Sequence, residues 1–161
     1  MTPNITETDR QYMRMAAKLA EENINNGGGP FGAVIVKDGK VVSTGVNTVT
    51  LANDPTAHAE VNAIRNACTA LDTFSLAGCT VYSSCEPCPM CLSALYWAGV
   101  ARIFYGNTKE DAAAIDFSDD FIYKELAKPY RQRKIPQVRI ADEGTITAFE
   151  KWAAKEDKVR Y

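Results

Sequence analysis

Histidine is nearly absent from this chain: His58 is the only one in 161 residues. Any metal site must therefore take its other ligands from other residue types. A long apolar run is missing too. No stretch approaches the roughly 20 apolar residues a membrane span needs, so no membrane partner is expected. The N-terminus, Met1-Thr2-Pro3-Asn4-Ile5-Thr6-Glu7, has no basic segment followed by an apolar one. No signal peptide is expected, and a cytoplasmic protein is. Excess positive charge is lacking: 18 Lys and Arg stand against 20 Asp and Glu, for a net charge of -2. A protein built to hold a long polyanion is usually basic, so no nucleic-acid partner is expected. An even, spread-out cysteine framework is also missing. There are five cysteines, an odd number, and three of them fall within seven residues. That pattern points to metal or redox chemistry in a reduced compartment rather than to disulfides. Gly27-Gly28-Gly29-Pro30 lacks the spacing of a phosphate-binding loop and reads as a turn. Repeats and low-complexity linkers are absent.

What remains is an ordinary soluble composition, 46% hydrophobic and 24% charged. One domain over residues 1–161 with a core of its own is the natural expectation. Periodicity predicts a helix from Thr8 to Asn26, with Tyr12, Met15, Ala16, Leu19 and Ala20 recurring on one face. Two β-branched runs, Phe31–Lys37 and Lys40–Asn47, flank Asp38-Gly39 and predict a hairpin. Leu51 to Thr56 reads as a polar loop. His58–Leu71 reads as a helix, Thr80–Ser84 as a strand, Met90–Ala98 as a buried helix stopped by Gly99, and Ala101–Tyr105 as a strand. Lys109–Ala114 and Phe121–Ala127 read as short helices, Gln137–Ile140 as a fifth, edge strand, and Thr145–Glu156 as a terminal helix. Alternating strands and helices imply a three-layer α/β/α domain with a five-stranded mixed sheet.

Chemistry concentrates in two segments. One is Pro55-Thr56-Ala57-His58-Ala59-Glu60; the other is Ser84-Cys85-Glu86-Pro87-Cys88-Pro89-Met90-Cys91. Together they offer soft metal ligands and an uncommitted carboxylate, the composition of a catalytic zinc site with one position left open. Cys88 and Cys91 are three apart and share a side of a helical first turn. Pro89 suits the start of that helix. Free N–H groups and the dipole there favour thiolates. His58 and Glu60 are two apart, about 200° around an ideal helix. They reach one site only if His58 lies at the very start of its helix, so two helix N-termini are expected to meet at the metal. One Zn²⁺ with two thiolates and a neutral imidazole sums to no net charge. Such an ion is a mild Lewis acid and benefits from a nearby base, for which Glu60 is the candidate. Cys85 could join as a fourth ligand of a structural site, or a C-x-x-C pair could serve redox chemistry. Structural ligands usually come in two separated pairs, and a redox pair leaves His58-Ala59-Glu60 unexplained. Cys68 and Cys79 read as core residues.

The pattern His58-Ala59-Glu60 with Pro87-Cys88-Pro89-Met90-Cys91 resembles the zinc deaminase signature H-x-E…P-C-x-x-C of the cytidine deaminase-like superfamily. Gly28–Val36, Asn53–Glu60, Phe121–Glu125 and Arg160-Tyr161 are similar to bacterial guanine deaminases. The resemblance implies a cytidine deaminase-like fold and hydrolysis of guanine to xanthine and ammonia in purine catabolism or salvage. It implies one Zn²⁺ per subunit held by His58, Cys88 and Cys91, with Glu60 moving protons to the purine ring and then to the leaving amine. Implied substrate contacts are Phe31 stacking on the ring, Asn47 bonding its edge, Ala59, and Asp119 meeting the exocyclic amine. The family's Phe-Asp-Asp-Ser-Phe reads Phe117-Ser118-Asp119-Asp120-Phe121 here, which leaves Asp119 and Asp120 as alternatives. A carboxylate there accepts from guanine's adjacent N–H donors, whereas adenine offers an unprotonated ring nitrogen. The resemblance also implies a homodimer in which the C-terminal segment is swapped and Tyr161 closes the partner's site.

Three rival readings stay open. A transfer-RNA adenosine deaminase shares the zinc motif and would need a basic surface, for which Lys128–Lys134 is the only local candidate. Deamination of guanosine or cytosine is close in chemistry. A non-catalytic zinc-stabilised interaction module is a different class, but it gains nothing from Glu60.

Overall fold

The computed structural model describes residues 4–141 and 143–160, in two units: Met1–Asp120 and Phe121–Tyr161. Helix α1 (Glu7–Asn25) opens the first unit. Its N-cap is Thr6, two residues before Thr8, where the helix was expected to begin. Thr6 accepts from the Asp9 amide while Asp9 bonds back to the Thr6 amide, satisfying two donors that a helix start otherwise leaves open.

Strands β1 (Gly29–Lys37) and β2 (Lys40–Asn47) form the predicted antiparallel hairpin. Asp38 and Gly39 turn it with φ of 49° and 73°. Two consecutive left-handed residues suit the twist of a tight hairpin. A short helix α2 (Val49–Ala52) lies where a loop was expected. Then follow α3 (Ala59–Leu71), β3 (Thr80–Cys85), α4 (Pro89–Ala98), β4 (Arg102–Asn107) and α5 (Lys109–Ala113).

The sheet has four strands in the order β2-β1-β3-β4. β3 pairs antiparallel with β1 and parallel with β4, so β3–α4–β4 is a parallel crossover unit. Alternation along β1 divides the core into two layers. Ala33 and Ile35 pack with Val81, Leu95 and the alanines of α3, whereas Val34 and Val36 pack with Tyr82 and Ala16 of α1. Helices thus cover both faces. Two glycines set how closely they approach. A Cβ on Gly32 would lie 2.5 Å from the Ala16 carbonyl oxygen, and one on Gly45 would lie 2.2 Å from that of Ala59.

The second unit holds α6 (Asp120–Ala127, whose first residue closes the first unit), a 3-10 turn at Tyr130–Gln132 and α7 (Glu143–Ala154). The expected fifth strand at Gln137–Ile140 does not form, and the sheet is four-stranded rather than five-stranded. The alternation of Val138 and Ile140 is real, but a four-residue run has no strand without a partner ladder. Those two side chains are 84% and 83% exposed. Among the described residues, no helix is long and apolar enough to cross a membrane.

Candidate active site

Two helix starts build the site, as the spacing required. His58 is the N-cap of α3, with extended backbone at φ -71°, ψ 158°. Cys88 is the N-cap of α4, at φ -63°, ψ 167°, and Pro89 follows at the first helical position. Neither cap uses its side chain to close its own helix. Both side chains are free to point at a common centre. Cys91, fully buried, comes from the first turn of α4.

His58 Nδ1 lies 3.6 Å from Cys88 Sγ and 3.5 Å from Cys91 Sγ. One ligand atom from each of the three lies within 4.8 Å of the others. A tetrahedral ion with Zn–S of about 2.3 Å and Zn–N of about 2.05 Å requires N–S edges of roughly 3.5 Å. The donor set, one nitrogen and two sulfurs, and its spacing therefore fit zinc. Cys85 stands apart: its Sγ–H faces the Thr108 carbonyl at 3.6 Å, and burial pushes its thiol up to about 11. The Cys88 thiol is pushed down to about 4, first by the hydrogen bond it accepts from Cys91 and then by His58. The same bond and burial raise Cys91, and the Cys88 sulfur raises His58.

Glu60 sits in the first turn of α3, only 7% exposed. Ser83 Oγ–H donates to Glu60 Oε1 at 3.1 Å. Burial pushes the Glu60 carboxyl up, and its own backbone and the Cys91 thiol pull the other way. A carboxyl held above its ordinary range is a stronger proton acceptor than an exposed one.

The expected substrate contacts are spread over four elements. Phe31, on β1, packs on the core from one side and meets the edge of Phe117 at 5.0 Å and 85°. Phe117 thereby draws the loop before α6 toward the start of β1. Asp119, in that loop, is half-buried, and burial followed by the Cys88 and Glu86 charges raises its carboxyl. It is also among the charges acting on His58. Asp120 is exposed and begins α6. Asn47, buried at the end of β2, accepts from Asn23 Nδ2 at its backbone oxygen (2.8 Å) and from the Val49 amide at its side chain (3.2 Å). Ala59 is fully buried as the first residue of α3. Tyr161 lies outside the described residues. Sequence reasoning missed Ser83 and Phe117. Each left only a weak signal, the first of two serines in β3 and an aromatic two residues before Asp119.

Comparison with known proteins places this arrangement among relatives. The model of the cytidine and deoxycytidylate deaminase zinc-binding region matches residues 6–107. The chain is 49% identical over 151 residues to guanine deaminase of Bacillus subtilis (strain 168), covering 93% of this chain and 97% of that one. It superposes on the X-ray structure of guanine deaminase from Bacillus subtilis with a TM-score of 0.92 at 48% identity, covering 94% of this chain and 98% of the other. It is 39% identical over 94 residues to the tRNA-specific adenosine deaminase of Aquifex aeolicus (strain VF5), covering 58% of this chain and 62% of that protein.

Proposed function

The chain belongs to the cytidine and deoxycytidylate deaminase zinc-binding family, and on that premise we propose that it hydrolyses guanine to xanthine and ammonia. The observation that carries the reading is the convergence of His58, Cys88 and Cys91 within 4.8 Å with a buried Glu60 hydrogen-bonding in the same cluster. A structural zinc site has no use for a buried acid beside its ligands. Near-complete coverage of the Bacillus subtilis guanine deaminase, against about three fifths of the tRNA deaminase, favours guanine over an RNA substrate.

Zinc held by His58 Nδ1 and the sulfurs of Cys88 and Cys91 supplies Lewis acidity that makes water a nucleophile near neutral pH. Glu60 takes one proton from water and passes it to a ring nitrogen of guanine, then takes the remaining proton from the hydroxyl added to the purine carbon and gives it to the amine, which leaves as ammonia. Its burial supports that role, because a carboxyl with a raised pKa both accepts and donates. Phe31 stacks on the purine, and Asn47 and the backbone at Ala59 meet its edge. Asp119, not Asp120, accepts from the adjacent N–H donors of guanine. The support is that Asp119 is half-buried and within electrostatic reach of His58, whereas Asp120 is exposed.

The basic run at Lys128–Lys134 folds on its own unit. Lys128 pairs with Glu125, Arg133 donates to the Lys128 and Leu126 carbonyls, and the Lys134 amide donates to Glu125. With the Lys128 and Arg133 side chains occupied in this way, the run offers less free charge to an RNA groove. A homodimer with its C-terminal segment exchanged, Tyr161 included, belongs to the same proposal. It is supported by the exposed apolar side chains of the second unit, Ile135, Val138, Ile140 and Phe149 among them.

Ammonia release from zinc-loaded protein given guanine, guanosine, adenine and cytosine tests the reading. Turnover of guanine well above the other three is expected. Ammonia from adenine or cytosine with none from guanine would refute it.

A further inference from the structure

Ser83 occupies a position that the pattern of its strand assigns to an aliphatic residue. Along β3, Val81 faces the layer containing α3, and Tyr82 faces α1. Ser83 follows Val81 by two residues and so shares its face. Its cross-strand neighbour is Ala33, a member of the same apolar cluster. At 2% exposure its hydroxyl has no access to water. A buried hydroxyl there is costly unless partnered, and its partner is Glu60 Oε1 at 3.1 Å.

We propose that Ser83 is a positioning residue for Glu60: its hydroxyl ties to the sheet the carboxylate that carries the proton. The proposal rests on Glu60 being the proton carrier. The two residues come from different elements, β3 and the first turn of α3. The bond therefore ties the carboxylate to the sheet rather than to its own helix. A glutamate has three side-chain torsions. The other partners of Glu60 are its own backbone and the Cys91 thiol, and without the tie to β3 the carboxylate samples orientations that misplace the proton relative to substrate. The neighbouring Ser84 faces the other way and accepts from the Gly32 amide at 3.0 Å, bracing the residue after Phe31. The paired serines thus serve different tasks from opposite faces of one strand.

Thr and Val have nearly the same shape and differ in the hydroxyl, so S83T and S83V separate the bond from the packing. With guanine, S83V is expected to lose roughly tenfold or more in kcat with KM little changed, the scale of losing one hydrogen bond to a charged group. S83T should keep most of the rate. Zinc content should equal that of wild type in both. Crystal structures of the zinc-loaded variants should show the Glu60 carboxylate in the wild-type orientation in S83T and turned away in S83V. Equal kcat in the two variants, or an unmoved carboxylate in S83V, would overturn the proposal. If the added methyl prevents folding, S83A against wild type gives the same comparison, read in the same way. A wild type inert toward guanine would instead sink the guanine reading, and the carboxylate orientation would still decide the role of Ser83.

Discussion

Tyr82 and Asp9 illustrate how single side chains couple the layers of this fold. Tyr82 Oη–H donates to Asp9 Oδ1 at 2.6 Å, joining β3 to the start of α1 across 73 residues of chain. The Thr6 hydroxyl first, then Tyr82 and the Thr6 amide, hold the Asp9 carboxyl below its ordinary 3.8. A depressed carboxyl stabilises the fold fully above its unfolded value and loses that contribution as pH falls through the lower folded value. Y82F should therefore cost about 1 kcal/mol at neutral pH. The gap in Tm between wild type and variant should narrow only below about pH 4. A gap that stays constant down to pH 2 would show that Asp9 is not the partner that matters. The ligand residues were legible at this scale because their chemistry is rare: one histidine, and thiols at helical spacing. Ser83 and Phe117 were not, since serine and phenylalanine are common and only the third dimension gives them neighbours.

At the scale of elements, α3 positions most of the chemistry. Its N-cap is His58, its first turn carries Glu60, and its alanines pack against β1 and β3. Its seat on β2 depends on Gly45. G45A would place a methyl 2.2 Å from the Ala59 carbonyl and 2.4 Å from the Ala63 amide, both of them backbone atoms that cannot swing aside. A loss of about 3 kcal/mol is expected from such overpacking, read as a lowered urea midpoint. An unchanged midpoint would mean that the helix can lift without cost. The same helix also seals the open edge of the sheet. Asn62 and Asn66 donate from Nδ2 to the Val46 and Thr44 carbonyls, each at 2.9 Å. Edge carbonyls left open invite strand addition. The double variant N62A/N66A should aggregate faster at equal unfolded fraction, followed by light scattering, whereas an unchanged rate would deny the sealing role. Regular elements were legible because each has its own period and stop: Asp38-Gly39 for the hairpin, Gly99 after α4. The fifth strand was misread because alternation at Val138 and Ile140 reports a need for cover, not what supplies it.

For the whole molecule, the apolar surface of the second unit is the outstanding fact. None of its described residues is buried, and Phe149 and Ile135 are 74% and 77% exposed. Surface of that kind marks an interface in a soluble protein. Sedimentation at micromolar concentration is expected to give twice the chain mass of 17.6 kDa. A monomer at that concentration would contradict the dimer. A dimer was expected from the sequence only through resemblance, since an exchanged segment would have no local pattern of its own.

The central claim is that Glu60 moves the proton at a zinc site built by His58, Cys88 and Cys91. Guanine turnover and zinc content, measured together on wild type and E60Q, test it most directly. One zinc per chain is expected in both proteins, with a fall in kcat of roughly 10²–10⁴ in E60Q. An E60Q protein that keeps its zinc and its rate would contradict it.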